Sequence, residues 1–279
     1  MRKTGFYIDF IILPILLIFC FAEAGGTASA SDKPTELQGV GITEHLGRQI
    51  NIRELIFRDE QNKSVKLANY FKNGKPVILT LVYFKCPMLC NLVLNGVLDS
   101  IKALDWNIAS QFEIITVSIN PLENAELAAK KKSSYLKSYN RRGAEQGWHF
   151  LTGDKSQIES LATQIGFQYR YDPKENQYFH AAAIYVLTPQ GKVSRYLYGT
   201  TFKPQNLKLS LLEASNGTVA TTTVDQILLF CFHFDPNKNS YTLRLWRIVQ
   251  LVVCIQVLVL AIGMGFLWKK DHLVHKLKK

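Results

Sequence analysis

Two cysteines four residues apart carry the most reactive chemistry in this chain. They sit in Phe84-Lys85-Cys86-Pro87-Met88-Leu89-Cys90-Asn91. A thiolate is a nucleophile, a redox centre and a soft metal ligand. On the first turn of a helix, side chains at i and i+4 share one face. The helix N-terminus favours negative charge there and lowers a thiol's pKa. Neighbouring thiolates of this kind can close a disulfide or bind a soft metal. The plainer alternative is a structural disulfide, or two buried free thiols.

The elements that must position this pair are visible on either side of it. Pro76-Val77-Ile78-Leu79-Thr80-Leu81-Val82-Tyr83 is apolar and β-branched, so it predicts a buried strand. Asn91 to Ile101 has apolar residues at helical spacing, and Pro87 suits a first helical position. Further strands are expected at 112–119, 148–151 and 168–171, and a hairpin at 183–187 and 193–198 around Thr188-Pro189-Gln190-Gly191-Lys192. Helices are expected from Glu123 to about Tyr139, over 157–165 with Gly166 as C-cap, and over 204–214. Ser64 to Phe71 reads as a short helical turn, and 48–57 as weak strand. Strands alternating with helices before a hairpin predict an α/β fold with a mixed sheet. A cysteine pair after the first core strand is the layout of a thioredoxin-like domain with its sheet flanked by helices.

The termini and composition narrow the setting. The chain has 279 residues, 47% of them apolar, and a formal net charge of +11. Much of the charge is terminal, and no Arg cluster interleaved with aromatics appears, which argues against nucleic acid. Residues 1–30 resemble a signal peptide: a basic start, a short apolar core from Phe10 to Phe21, and small-residue sites that place cleavage near 24 or 30. Residues 31–44 read as a linker, 45–215 as the thioredoxin-like domain and 216–245 as a juxtamembrane segment. Ile248 to Trp268 contains no charge. With Trp246 it predicts a transmembrane helix over 246–268, followed by a basic tail over 269–279 that stays cytoplasmic. The expected setting is a bacterial inner membrane, crossed once, with the main domain on the periplasmic or extracellular side. There a disulfide can form.

With these features in view, the body from about 45 to 215 resembles the Sco/SenC family of copper proteins. Three features carry the resemblance: the C-x-x-x-C spacing of Cys86 and Cys90, the strand from Val77 to Phe84 ahead of it, and Phe179-His180-Ala181-Ala182-Ala183-Ile184-Tyr185-Val186-Leu187-Thr188-Pro189-Gln190-Gly191. Membership implies that Cys86, Cys90 and His180 bind copper and that the protein helps build the dinuclear copper centre of cytochrome c oxidase subunit II. A periplasmic copper donor or thiol reductant is the other implied partner. Two thiolates and one imidazole suit Cu(I), and with one added ligand they suit Cu(II). Several positions depart from the family pattern. Met88 and Asn91 replace an acidic residue and a proline, Phe179 an Asp, and Asn120-Pro121 an Asp-Pro. The anchor is C-terminal rather than N-terminal.

Other residues have weaker claims. The Met88 thioether is a possible metal contact or a plain apolar residue on the first turn. Lys85 could lower a thiol pKa by its charge or simply be exposed. His149, beside Trp148, reads as structural. Cys231 and His233 read as packing, with an accessory site as the alternative, while His272 and His275 lie in the tail. The pair also permits a thiol-disulfide oxidoreductase, which would keep the target's cysteines reduced. A peroxidase would want an Arg near Cys86, and none stands near it in sequence.

Overall fold

The computed structural model describes residues 39–71, 74–86, 88–216, 232–235, 238, 240–243, 249–250 and 252–264. Strand β1 (Gly41–Ile42), strand β2 (Ile56–Arg58) and strand β3 (Ser64–Lys66) precede the central strand β4 (Val77–Val82). All six residues of β4 are buried, as a continuous β-branched run predicts for a strand covered on both faces. Helix α1 (Leu89–Lys102), strand β5 (Glu113–Ser118), helix α2 (Ala125–Tyr139), strand β6 (Trp148–Leu151) and helix α3 (Lys155–Ile165) follow. Next come β7 (Phe167–Asp172), β8 (Gln177–His180), β9 (Ala183–Leu187), β10 (Val193–Tyr198) and helix α4 (Pro204–Ala214).

The main sheet has the order β10-β9-β4-β5-β6. Strands β4, β5 and β6 are parallel, while β9 and β10 run antiparallel. This is a mixed-sheet, thioredoxin-like fold. Helix α1 buries Val93, Leu94, Val97, Leu98 and Ile101, one stripe at helical spacing. It packs beside α2 and α4.

Most expected elements appear where they are predicted, and the departures have local causes. Helix α2 begins at Ala125 rather than Glu123, because Asn124 takes an extended conformation and its side chain accepts from the Leu127 N–H. Residues 64–66 pair with β2 as a strand, and only Leu67–Tyr70 forms a 3-10 turn. Gly166 caps α3 at φ 75, where a Cβ would stand 1.8 Å from the Thr43 carbonyl oxygen. The 167–180 region forms a hairpin, β7–β8, rather than one short strand, and β1 joins its outer edge. This second sheet, in the order β1-β7-β8, thus reaches back into the stretch expected to be linker.

Beyond α4, strands β11 (Phe232–Asp235) and β12 (Ser240–Leu243) form a hairpin. It docks on the domain: the Tyr241 hydroxyl donates to Glu213 at 2.5 Å, and the Arg195 guanidinium lies 5.2 Å from the Phe234 ring centroid. Among the described residues, no helix is long and apolar enough to cross a membrane. Residues 252–264 are helical. The rest of the expected 246–268 span is described only at 249–250. The expected leader, the tail with His272 and His275, Cys20, Pro87 and Cys231 lie outside the described residues.

Candidate metal centre

Cys86 sits on the loop that leaves the C-terminal end of β4, and Cys90 on the first turn of α1, whose N-cap is Met88. The third residue arrives by strand pairing. Strand β9 pairs antiparallel with β4, Leu79 opposite Tyr185 and Val77 opposite Leu187. Extending that register carries His180, at the end of β8, to the head of the cysteine loop. The structure thus brings together all three residues singled out from the sequence. All three are buried, Cys86 at 6% exposure, Cys90 at 1% and His180 at 7%.

Cys90 Sγ lies 3.1 Å from His180 Nε2. His180 Nδ1 lies 2.9 Å from the Ala181 carbonyl oxygen. A carbonyl only accepts, so the hydrogen-bond pattern assigns the ring proton to Nδ1 and leaves the Nε2 lone pair facing the thiol. A backbone partner orients metal-binding histidines in the same way. The ring is held edge-on by Tyr83 and flanked by Phe167 at 5.9 Å. The Cys90 N–H donates to Cys86 Sγ at 3.3 Å, and the Tyr83 N–H to Cys90 Sγ at 3.4 Å.

These contacts divide the two thiols. Cys86 is held well below its ordinary pKa. The main cause is hydrogen bonding from the Cys90 side chain, followed, against the opposing effect of burial, by the Cys90 and Met88 N–H groups. Burial, then the Cys86 contact, pushes Cys90 up. The two thiols are thus pushed in opposite directions, Cys86 toward the thiolate and Cys90 toward the thiol. A second charge so close to the first would be repelled in a dry interior.

The donor set of two sulfurs and one imidazole nitrogen fits a soft cation such as Cu(I). Among the described residues no group of three or more His, Cys, Asp or Glu side chains stands arranged to hold a metal ion. Here Cys90 Sγ and His180 Nε2 are in contact at 3.1 Å. Bonds of about 2.0–2.3 Å would separate two donors by roughly 3.6 Å, so the Cys90–His180 contact opens by only about half an ångström on binding.

The weaker candidates fall outside this arrangement. The Met88 side chain is 68% exposed. Lys85 is exposed and contributes its backbone N–H rather than its charge. His149 stacks on Tyr70 at 4.2 Å and approaches Glu113 at 3.9 Å.

Three residues that support the loop escaped the sequence analysis as site residues. The buried Glu123 carboxylate accepts from the Phe84 and Lys85 N–H groups at 2.7 and 2.8 Å and from the Ser118 hydroxyl at 2.5 Å. Asn91 Nδ2 donates to the Cys86 carbonyl at 3.0 Å. Lys131 Nζ donates to the Phe84 carbonyl at 3.1 Å and to Asn91 Oδ1 at 2.6 Å. A glutamate at a helix start passes for a partner of the helix dipole, and Lys131 belongs to the run Lys130-Lys131-Lys132, which passes for a solvated face.

The family model described as SCO1/SenC matches residues 54–213. Among solved structures, a candidate electron transfer protein from Aquifex aeolicus is 23% identical with a TM-score of 0.54, covering 62% of this chain and 96% of its own. A candidate electron transport protein from the same organism is 23% identical with a TM-score of 0.49, covering 61% and 98%. ScoI of Arabidopsis thaliana, solved with copper bound, is 19% identical with a TM-score of 0.42, covering 60% and 94%. The first of these is a likeness of fold. Comparison with curated proteins finds no match. With more than half of its length matched by the family model, and the cysteine pair and His180 inside the matched range, the chain belongs to the SCO1/SenC family.

Proposed function

We propose that this chain is a copper metallochaperone that carries copper on Cys86, Cys90 and His180. It delivers the ion to the dinuclear copper centre of cytochrome c oxidase subunit II. The observation that carries the proposal is the meeting of His180 Nε2 with the buried cysteine pair at 3.1 Å. A thiol-disulfide enzyme has no need of an imidazole lone pair held at its second cysteine. Loading Cu(I) onto the pair displaces the Cys90 proton, and unloading to an acceptor's thiolates proceeds by stepwise replacement of ligands. Both Cu(I) and Cu(II) are accommodated, the latter with one added ligand.

The domain works outside a bacterial inner membrane, exported by residues 1–30 and anchored by residues 246–268, with residues 269–279 in the cytoplasm. The described part of that stretch supports an anchor. Val252, Ile255, Val257, Leu258, Leu260 and Ile262 are each more than half exposed, around the whole helix. Lipid is the natural cover for such a surface.

The test is copper content and Cu(II)–thiolate absorption of the chain with and without His180→Ala. Absence of copper uptake by the reduced wild type, or unchanged absorption in the variant, would overturn the proposal.

One observation favours a second role, as a thiol-disulfide oxidoreductase. Hydrogen bonding from Cys90 holds Cys86 toward the thiolate and burial holds Cys90 toward the thiol, the division that an attacking and a resolving cysteine need. Cys86 attacks a target disulfide to give a mixed disulfide. Cys90 then loses its proton and displaces the target thiolate. The target gains two electrons and this chain ends with a disulfide. Reduction of the oxidase subunit's disulfide by the His180→Ala variant would place this role beside copper transfer.

A further inference from the structure

Glu123 is more than nine-tenths buried, yet it is neither a ligand candidate nor part of a surface ion pair. Its two oxygens are fully engaged. Oε2 takes the Phe84 N–H and the Ser118 hydroxyl, and Oε1 takes the Lys85 N–H. Two of these donors are consecutive backbone groups immediately ahead of Cys86. None of these contacts is to a thiol. What it does provide is geometry. A β-strand that has ended leaves its next N–H groups without ladder partners, and inside a protein each must find an acceptor. A forked carboxylate supplies two acceptors at the spacing of adjacent amides.

We propose that Glu123 is the positioning residue of the centre: by clamping the Phe84 and Lys85 amides it sets where Cys86 Sγ stands relative to Cys90 and His180. This rests on the copper proposal only for the ion that the centre receives. No other side chain substitutes well. Gln has one acceptor oxygen and turns an NH2 group against one of the two amides. Asp keeps the charge but lacks one methylene of reach. Ser118 steadies the carboxylate and the Asn120 turn, so Ser118→Ala serves as the control, removing its hydrogen bonds to Glu123 and Asn120 while leaving both amide contacts.

The test uses the full-length chain in detergent, reduced, with folding confirmed by far-ultraviolet circular dichroism. Iodoacetamide labelling resolved by fragment mass spectrometry gives the Cys86 to Cys90 rate ratio, which needs no metal. Cu(I) retention against a chelator is read in parallel. Glu123→Gln and Glu123→Asp are expected to bring the labelling ratio toward unity and to weaken Cu(I) retention about 10–100-fold, the usual effect of losing a residue that supports metal ligands. Ser118→Ala is expected to keep the wild-type ratio. A wild-type ratio in both Glu123 variants, or the same change in Ser118→Ala as in the Glu123 variants, would assign Glu123 a merely structural role. Failure of the wild type to hold copper would overturn the function proposed above, while the labelling ratio would still decide the role of Glu123.

Discussion

Cys90 Sγ lies 3.1 Å from His180 Nε2 across ninety residues of chain, and His180 Nδ1 is tied to its neighbour's carbonyl at 2.9 Å. The second contact gives the first its chemistry. With the proton on Nδ1, Nε2 has a lone pair to offer, either to the Cys90 thiol or to a soft cation that displaces that proton.

Removing the imidazole therefore acts on the metal before it acts on the fold. His180→Ala is expected to lower copper affinity by at least the 10–100-fold that a ligand's supporting partner alone commands. His149→Ala, remote in role and stacked on Tyr70, is the matched control and retains copper. Competition titration with a Cu(I) chelator measures both, and equal affinities in the two variants would contradict the assignment.

The split pair predicts a pH signature of stability. Cys86 has a lowered folded pKa, so its stabilisation is complete above the unfolded thiol value of about 8.5 and is lost as pH falls toward its folded value. Cys90 has a raised folded pKa, so its contribution is complete below about 8.5 and is lost as pH rises above it. In urea melts of the reduced chain, the stability advantage of wild type over Cys86→Ser should grow as pH rises from 5 to about 8.5. An advantage that shrinks over that interval would contradict the assigned charges.

Copper loading should follow protons as well. Binding converts the Cys90 thiol to a thiolate, so one proton is released per ion and affinity falls with acidification. Isothermal titration in buffers of different ionisation enthalpy counts that proton. A count of zero would mean that Cys90 stays protonated and does not ligate.

Gly96 lies within α1, the helix that carries Cys90. Replacing a mid-helix glycine by alanine ordinarily gains up to about 1 kcal/mol. Here the new Cβ would stand 2.0 Å from the Thr200 carbonyl oxygen, which is backbone. Overpacking costs typically about 1–3 kcal/mol, so the clash wins and the melting temperature of Gly96→Ala falls. A rise would mean that the 199–201 loop yields freely.

The anchor predicts a fractionation result. The full chain should stay with membranes after alkaline carbonate washing, whereas a chain ending at residue 245 should be released. Release of the full chain would remove the anchor from the proposal and leave the metal centre untouched.

The chain's local order determined a good deal by itself. A β-branched run bounded by a turn defines β4, the stripe from Val93 to Ile101 defines α1, and Gly166 ends α3, because burial and backbone conformation are encoded within a few residues. The cysteine pair is equally local. His180 could be nominated only through a family resemblance, since its meeting with Cys90 depends on the β4–β9 register, a long-range pairing that no short window contains. The opposite pull on the two thiols was hidden for a related reason. It depends on burial and on hydrogen bonds made only after the chain has closed around the pair. Glu123, Lys131 and Asn91 have ordinary surface identities in sequence. Only the packing of α1, of α2 and of the turn before α2 around the loop turns them inward, where backbone amides and carbonyls cut off from water must find partners.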